Sequence, residues 1–240
     1  MSSVTHTIRN KARLLRQAQR GFTIVELSVA VAIAGVLLVS AIALVQVVLR
    51  QSRANDVVSS IPRVMTQIDK IFSRSTNYVG LNTDAAIGFG AFEGVFDITG
   101  ATGNRRASNR FGFPTTVDVA TDFSGAGTSS GYVITFAGIP TNSCADIVSS
   151  ASATGVRAIL VQPEGAIGTR SITAAGIATL TLAGIQAVTQ GGADAAAATG
   201  GAAVVQGHLA NGSLDIPAMA DARACGTNRP SVSIGLVNWK

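Results

Sequence analysis

Histidine is almost missing from this sequence of 240 residues: His6 and His208 are the only two. Neither a histidine-based triad nor a His-rich metal site can be assembled from them, and His208 reads as a surface or loop residue. Charge is also sparse, at 13% of residues against 47% hydrophobic. That balance is low for a wholly water-borne domain and points to a segment that meets lipid. No acid occurs in the first 21 positions, which hold Arg9, Lys11, Arg13, Arg16 and Arg20. The remainder carries 13 basic and 13 acidic side chains and is formally neutral. The net charge of +5 therefore marks a topogenic leader rather than a basic stripe for nucleic-acid phosphates.

Proline is absent from 23 to 60, and charge is absent from Leu27 to Leu49. At ~1.5 Å per residue the uncharged run spans roughly 35 Å, enough to cross a bilayer core. The basic first 21 residues should stay cytoplasmic, with the rest exported. Ala41-Ile42-Ala43 has the small-residue pattern of a secretory cleavage site. The apolar run is too long for a signal core, however, and it flows into a second helical pattern. A plain single-span anchor would leave one residue unexplained: the carboxylate of Glu26, at the edge of the run. A lone carboxylate in an apolar membrane segment costs several kcal/mol unless it finds a partner.

Arg20-Gly21-Phe22-Thr23-Ile24-Val25-Glu26 resembles the processing site of type IV pilins and related pseudopilins. The resemblance implies a cytoplasmic-side prepilin peptidase that cuts between Gly21 and Phe22 and N-methylates Phe22. The new amine would lie about one helical turn from Glu26. In a filament, the amine of one subunit could then meet Glu26 of its neighbour and fix their axial register. Gly35, which costs roughly 1 kcal/mol of helix propensity relative to Ala, serves either close helix packing or local melting in the filament.

After Arg50 the pattern becomes amphipathic. Val57, Ile61, Val64, Ile68 and Ile71 alternate +4 and +3 spacing, widened by Val58, Met65 and Phe72. Arg53, Asp56, Arg63, Asp69, Lys70 and Arg74 lie largely off this stripe. The period continues through Pro62, which predicts a gentle kink rather than an end. The expected organisation is a leader over 1–21, a filament-core helix half over 22–50, an amphipathic half over 51–76 and a β-rich head over 77–240. Expected strands are 94–99, 115–120, 131–137, 156–162 and 231–239. A short helix is expected from Thr141–Ser143 through Ser150. The Ala/Gly-rich stretch 171–207 is readable only as strands and loops, with a short helix possible at Ala193–Ala198. The fold class is α+β: a long N-terminal helix packed on an antiparallel sheet, as in type IV pilins.

Details of the head resemble the type IVb group, which includes toxin-coregulated, bundle-forming and conjugative thin-pilus pilins. The 21-residue leader is long, as in that group. Asn77-Tyr78-Val79-Gly80-Leu81 resembles its link after the helix. Gly138-Ile139-Pro140-Thr141-Asn142-Ser143-Cys144 resembles its lead-in to a first cysteine, and Asp215-Ile216-Pro217 through Ala224-Cys225 its second-cysteine region. Phe22 departs from the pattern, since type IVb pilins more often begin with Met, Leu or Val. The two cysteines would be free thiols in a cytosolic protein. Downstream of an export signal, Cys144 and Cys225 are expected to form one disulfide, worth about 4 kcal/mol in the chain-entropy model.

Catalytic and cofactor motifs do not emerge. Gly88-Phe89-Gly90-Ala91-Phe92-Glu93-Gly94 superficially resembles a nucleotide loop, but it follows a helix and has no phosphate-binding lysine. Asp118 and Asp122 supply oxygen for calcium without a ligand loop. Arg105, Arg106 and Arg110 form the one local basic cluster, read as a solvated loop or, less readily, a ligand or DNA contact. The sequence thus describes a cofactor-free structural subunit, inserted in the bacterial inner membrane and cut by prepilin peptidase. The inner-membrane assembly machinery would then polymerise it into a surface pilus for adhesion, aggregation or conjugative contact. The alternatives are a minor pilin, a type II secretion pseudopilin, and a DNA-uptake receptor pilin.

Overall fold

A computed structural model describes residues 22–120, 129–180, 185, 202–206 and 213–240. The leader 1–21, Asp122, the stretch Ala193–Ala198 and His208 lie outside the described residues. The chain divides into two compact units, one through Leu49 and one from Arg50 to Lys240.

The first helix, α1, is Ile24–Ile71 and contains Pro62, as its periodicity requires. Proline removes one backbone donor from the helix. Beside it, Ser60 Oγ donates to the Val57 carbonyl at 2.6 Å and Ser59 Oγ to that of Asp56 at 3.0 Å, a back-bonding that bends helices. From Arg50 onward the buried positions are Ala54, Val57, Ser60, Ile61, Val64, Met65 and Ile68. Two expectations fail at the C-terminal end. Ile71 is half exposed, and the helix stops there instead of near residue 76. Ser73, Ser75 and Asn77 divert the backbone into turns: Ser75 N–H donates to the Phe72 carbonyl, and Ser75 Oγ to Asn77 Oδ1. Lys240 Nζ then donates to the Phe72 and Ser75 carbonyls, a cation where a helix end exposes partial negative charge.

Among the described residues the head holds a seven-stranded antiparallel sheet, its strands numbered in chain order and lying side by side as β1-β2-β3-β4-β7-β5-β6. Its strands are β1 (Asp97–Thr99), β2 (Arg106–Ser108), β3 (Pro114–Ala120), β4 (Gly131–Pro140), β5 (Ala158–Pro163), β6 (Ala203–Gln206) and β7 (Ser231–Trp239). Four expected strands match β3, β4, β5 and β7 within three residues. The fifth, expected over 94–99, shortens to β1; β2 was not expected, and β6 gives a position to one of the strands expected somewhere within 171–207. Four short helices complete the described head: α2 (Thr83–Gly88), α3 (Thr141–Ser152), α4 (Ala174–Ala178) and α5 (Ile216–Ala220).

Both faces of the central strands are covered, so β4 and β7 are buried almost throughout. Tyr132, Ile134 and Phe136 of β4 join Ile234 and Leu236 of β7 in a core with Val57, Ile61, Val64 and Ile68 of α1. The alternate residues, Val133, Val237 and Trp239, face a second core with Ile172, Ile177, Leu180 and Ile185. Part of the Ala/Gly-rich stretch is therefore the cover of the sheet's second face. Gly235 on β7 makes room for it, since a Cβ there would stand 3.1 Å from Ile172 Cδ1.

Candidate functional site

At the start of α1, Thr23 acts as the cap: the Glu26 N–H donates to Thr23 Oγ1 at 3.2 Å, and Leu27 N–H to the Thr23 carbonyl at 3.1 Å. Thr-Ile-Val-Glu is a capping-box pattern, so this role was legible in the sequence. It places Glu26 in the first helical turn, where the helix dipole favours an anion. No ion pair engages Glu26 among the described residues. Around it Phe22 is 80% exposed and Ile24 87%, and every residue onward to Leu49 is exposed too. The helix is long and apolar enough to cross a membrane. The two serine hydroxyls of its apolar run are satisfied internally, with Ser28 Oγ donating to the Val25 carbonyl and Ser40 Oγ to that of Val36. That is the condition for polar groups in lipid. Nothing lies within 4 Å of where a Gly35 Cβ would stand, so no contact of this chain requires a glycine there.

In the head, Cys144 and Cys225 are joined by a disulfide, with Cα atoms 5.5 Å apart. It ties the first turn of α3 to the segment between α5 and β7. Thr141, the first residue of α3, is held to the same segment, its N–H donating to the Pro230 carbonyl at 3.2 Å.

The arginine cluster does not converge on a ligand. Arg105 Nε donates to Asp84 Oδ1 at 3.0 Å and its Nη2 to Asp84 Oδ2 at 3.2 Å. The Arg105 and Gly103 N–H groups donate to Asp84 Oδ1 as well. These bonds, led by the Arg105 side chain, hold the Asp84 carboxyl down at about 2. Arg110 lies 3.9 Å from Asp97, and Arg106 is exposed on β2. Two of the three charges are thus matched by acids. In the glycine-rich 88–94 stretch Gly88 ends α2 and 89–94 form a turn with Phe92 buried. Arg105 fills the space over Gly88, where a Cβ would meet its Nη2 at 2.8 Å. Asp118, considered for calcium, pairs instead with Arg170 at 2.7 Å.

Three polar residues matter more than their sequence context suggests. Asp69, expected off the apolar stripe of α1, accepts from Tyr78 Oη at 3.0 Å and from Tyr132 Oη at 3.5 Å. Burial pushes both phenols up, and the Asp69 carboxylate adds to it. Asn109 donates from Nδ2 to the Ala137 carbonyl at 2.8 Å and accepts from Phe111 N–H at 2.9 Å. Glu164 is only 1% exposed. Its Oε1 accepts from Gly138 N–H at 2.8 Å and Ser233 Oγ at 2.7 Å; its Oε2 accepts from Gly168 N–H at 2.8 Å and Ser231 Oγ at 2.7 Å.

What remains unmatched in this geometry is the start of α1: an exposed apolar helix carrying one carboxylate. Residues 16–42 match the prokaryotic N-terminal methylation motif, and residues 51–204, more than half of the chain, match the PilS N terminal family. Similar solved structures include a type IV b pilin from Salmonella typhi, at 21% identity over 43% of this chain and 73% of that one, with a TM-score of 0.36. TcpA, a type IV pilin from Vibrio cholerae El Tor biotype, is 14% identical over 78% of this chain and 99% of its own, with a TM-score of 0.47. No curated protein matches. The two family matches, spanning the methylation motif and most of the head, place this chain in the PilS family of type IV pilins, which are structural subunits and not enzymes.

Proposed function

We propose that this chain is a filament-forming pilin of the type IVb kind, cut between Gly21 and Phe22 and N-methylated at Phe22. The observation that carries the reading is the contrast between the two units. The head closes its own core, whereas Phe22–Leu49 offers lipid or a neighbour an apolar helix with one acid in its first turn. Before assembly that helix anchors the subunit in the inner membrane. In the fibre the same surface packs against other copies. The Phe22 amine then meets the neighbour's Glu26, because an unmatched charge in an apolar core costs more than a matched pair.

The IVb assignment is supported by the lead-in to each cysteine. Adhesion, cell aggregation or conjugative contact would follow from display of the head along the fibre. A DNA-uptake role has less support, since Arg105 and Arg110 are matched by Asp84 and Asp97. The test is to shear surface fibres from the native host, image them by electron microscopy and sequence their subunit. Fibres whose subunit begins at N-methylated Phe22 are expected. A subunit that retains residues 1–21, or one that begins near Ser40–Leu44, would defeat the reading.

A further inference from the structure

We infer that Arg50 and Arg53 form a collar for the phosphate groups of anionic phospholipid, at the outer edge of the bilayer, while the subunit waits in the membrane. The inference rests on the membrane-anchored reading above. The uncharged helical run ends at Leu49, and at roughly 35 Å it slightly exceeds a hydrocarbon core of ~30 Å. Arg50 and Arg53 therefore fall at the depth of the headgroups. The head begins to cover α1 only at Ala54, so residues 50–53 are an exposed neck of about one turn.

Within that neck the two guanidinium groups lie three residues apart, a spacing that sets side chains on one helix face. No ion pair ties either of them to an acid among the described residues, although Asp56 is three positions beyond Arg53. Like charges at this spacing repel, and an anion seated between them relieves the repulsion. A lipid phosphate fits the need. Arginine presents a rigid fork of donors that binds phosphate bidentately, and the bilayer supplies that group at this depth. A basic residue near an anionic membrane surface gains ~1 kcal/mol, which is roughly fivefold in lipid preference. The collar would hold the subunit at a fixed height in the membrane and be released when the helix is drawn into a fibre.

The test reconstitutes the full chain in phosphatidylcholine vesicles with and without phosphatidylglycerol, using trace spin-labelled forms of each lipid. Electron paramagnetic resonance then reads the fraction of each label immobilised by the protein. Wild type should prefer phosphatidylglycerol, and Arg50→Gln and Arg53→Gln should each lower that preference by roughly fivefold. Lys70→Gln with Arg74→Gln, on or just beyond the far end of α1, should leave it unchanged. Equal preference in wild type and the Arg50→Gln/Arg53→Gln double variant would overturn the collar. So would an equal drop in the Lys70/Arg74 variant, which would mean that net charge alone is felt. Alkaline carbonate washing separates the two levels of the argument. A chain that washes off the vesicles defeats the membrane-anchored reading and the collar with it. A chain that stays but shows no lipid preference defeats the collar alone.

Discussion

Glu164 has no cation within ion-pair distance among the described residues, yet it is fully buried. An unpartnered carboxylate in such a place would cost several kcal/mol. Its four acceptor contacts come from two serine hydroxyls and two backbone N–H groups, and they join β4, β7 and the loop after β5 at one point. Glutamine in its place keeps the shape but turns one acceptor into a donor. Ser231 and Ser233 can rotate to accept, whereas the N–H groups of Gly138 and Gly168 cannot. Glu164→Gln should therefore lower head stability by about 1–3 kcal/mol, the penalty of a buried donor left without an acceptor. Denaturant titration of the variant checks this, and an unchanged midpoint would show that the four bonds contribute nothing net. No sequence signal announces the role. Gln162-Pro163-Glu164-Gly165 reads as an ordinary surface turn, and the donors Gly138, Ser231 and Ser233 lie 26, 67 and 69 residues away. Glu26 is the opposite case, legible because its peculiarity is local: one acid opening an uncharged run.

Elements were legible where one physical signal dominated. The +3/+4 stripe of α1 located Val57, Ile61, Val64 and Ile68, because burial against a sheet demands that period. It failed at Ile71, which is half exposed although Phe72 beside it packs against the core. Strands β3, β4, β5 and β7 carry runs of β-branched and apolar residues, whereas β2 has only Arg106, Ala107 and Ser108 and exists by pairing with β1 and β3. Similarly, β6 emerges from the Ala-rich stretch because β5 supplies its partner. The irregularity in β4 was not legible. Its register shifts between Phe136 and Ile139, and Gly138 there has φ +68°, a conformation that disfavours L side chains. Phe113 packs directly over it, so that a Cβ would stand 2.0 Å from the ring. Asn109 and Glu164 bind the Ala137 carbonyl and the Gly138 N–H that the bulge releases. Gly138→Ala should therefore combine ~1–2 kcal/mol of backbone strain with ~1–3 kcal/mol of overpacking. Adding Phe113→Ala should recover the overpacking part alone. Thermal unfolding of the three variants measures this coupling, and strictly additive losses would show that the ring is not what excludes a Cβ.

At the scale of the whole molecule, the head and the start of α1 follow different rules. The head satisfies itself, with two cores on one sheet, a disulfide from α3 to the segment before β7, and Asp69 bonded to Tyr78 across the first core. Residues Phe22–Leu49 do not, since their apolar side chains are exposed throughout. The proposed fibre resolves that imbalance, and Glu26 is where the resolution becomes specific. Apolar helices slide past one another with little change in energy, because lipid tails and neighbouring leucines are alike to them. A charge pair between the Phe22 amine and a neighbour's Glu26 would penalise every register but one. Glu26→Gln removes the charge and keeps the shape, while Thr23 still caps the helix through the residue-26 N–H. The variant should therefore insert and be cut at Gly21–Phe22 as before. What it lacks is an anion for the neighbour's amine, and stranding one member of a buried pair costs about 3–5 kcal/mol. Repeated at each subunit contact, that penalty should abolish fibres or shorten them severely, with processed subunit accumulating in the membrane. Immunoblots of the sheared fibre and membrane fractions from the same cells read both quantities. Normal fibre yield from Glu26→Gln would mean that the carboxylate does not set the register, and the assembly mechanism would have to rest on helix packing alone.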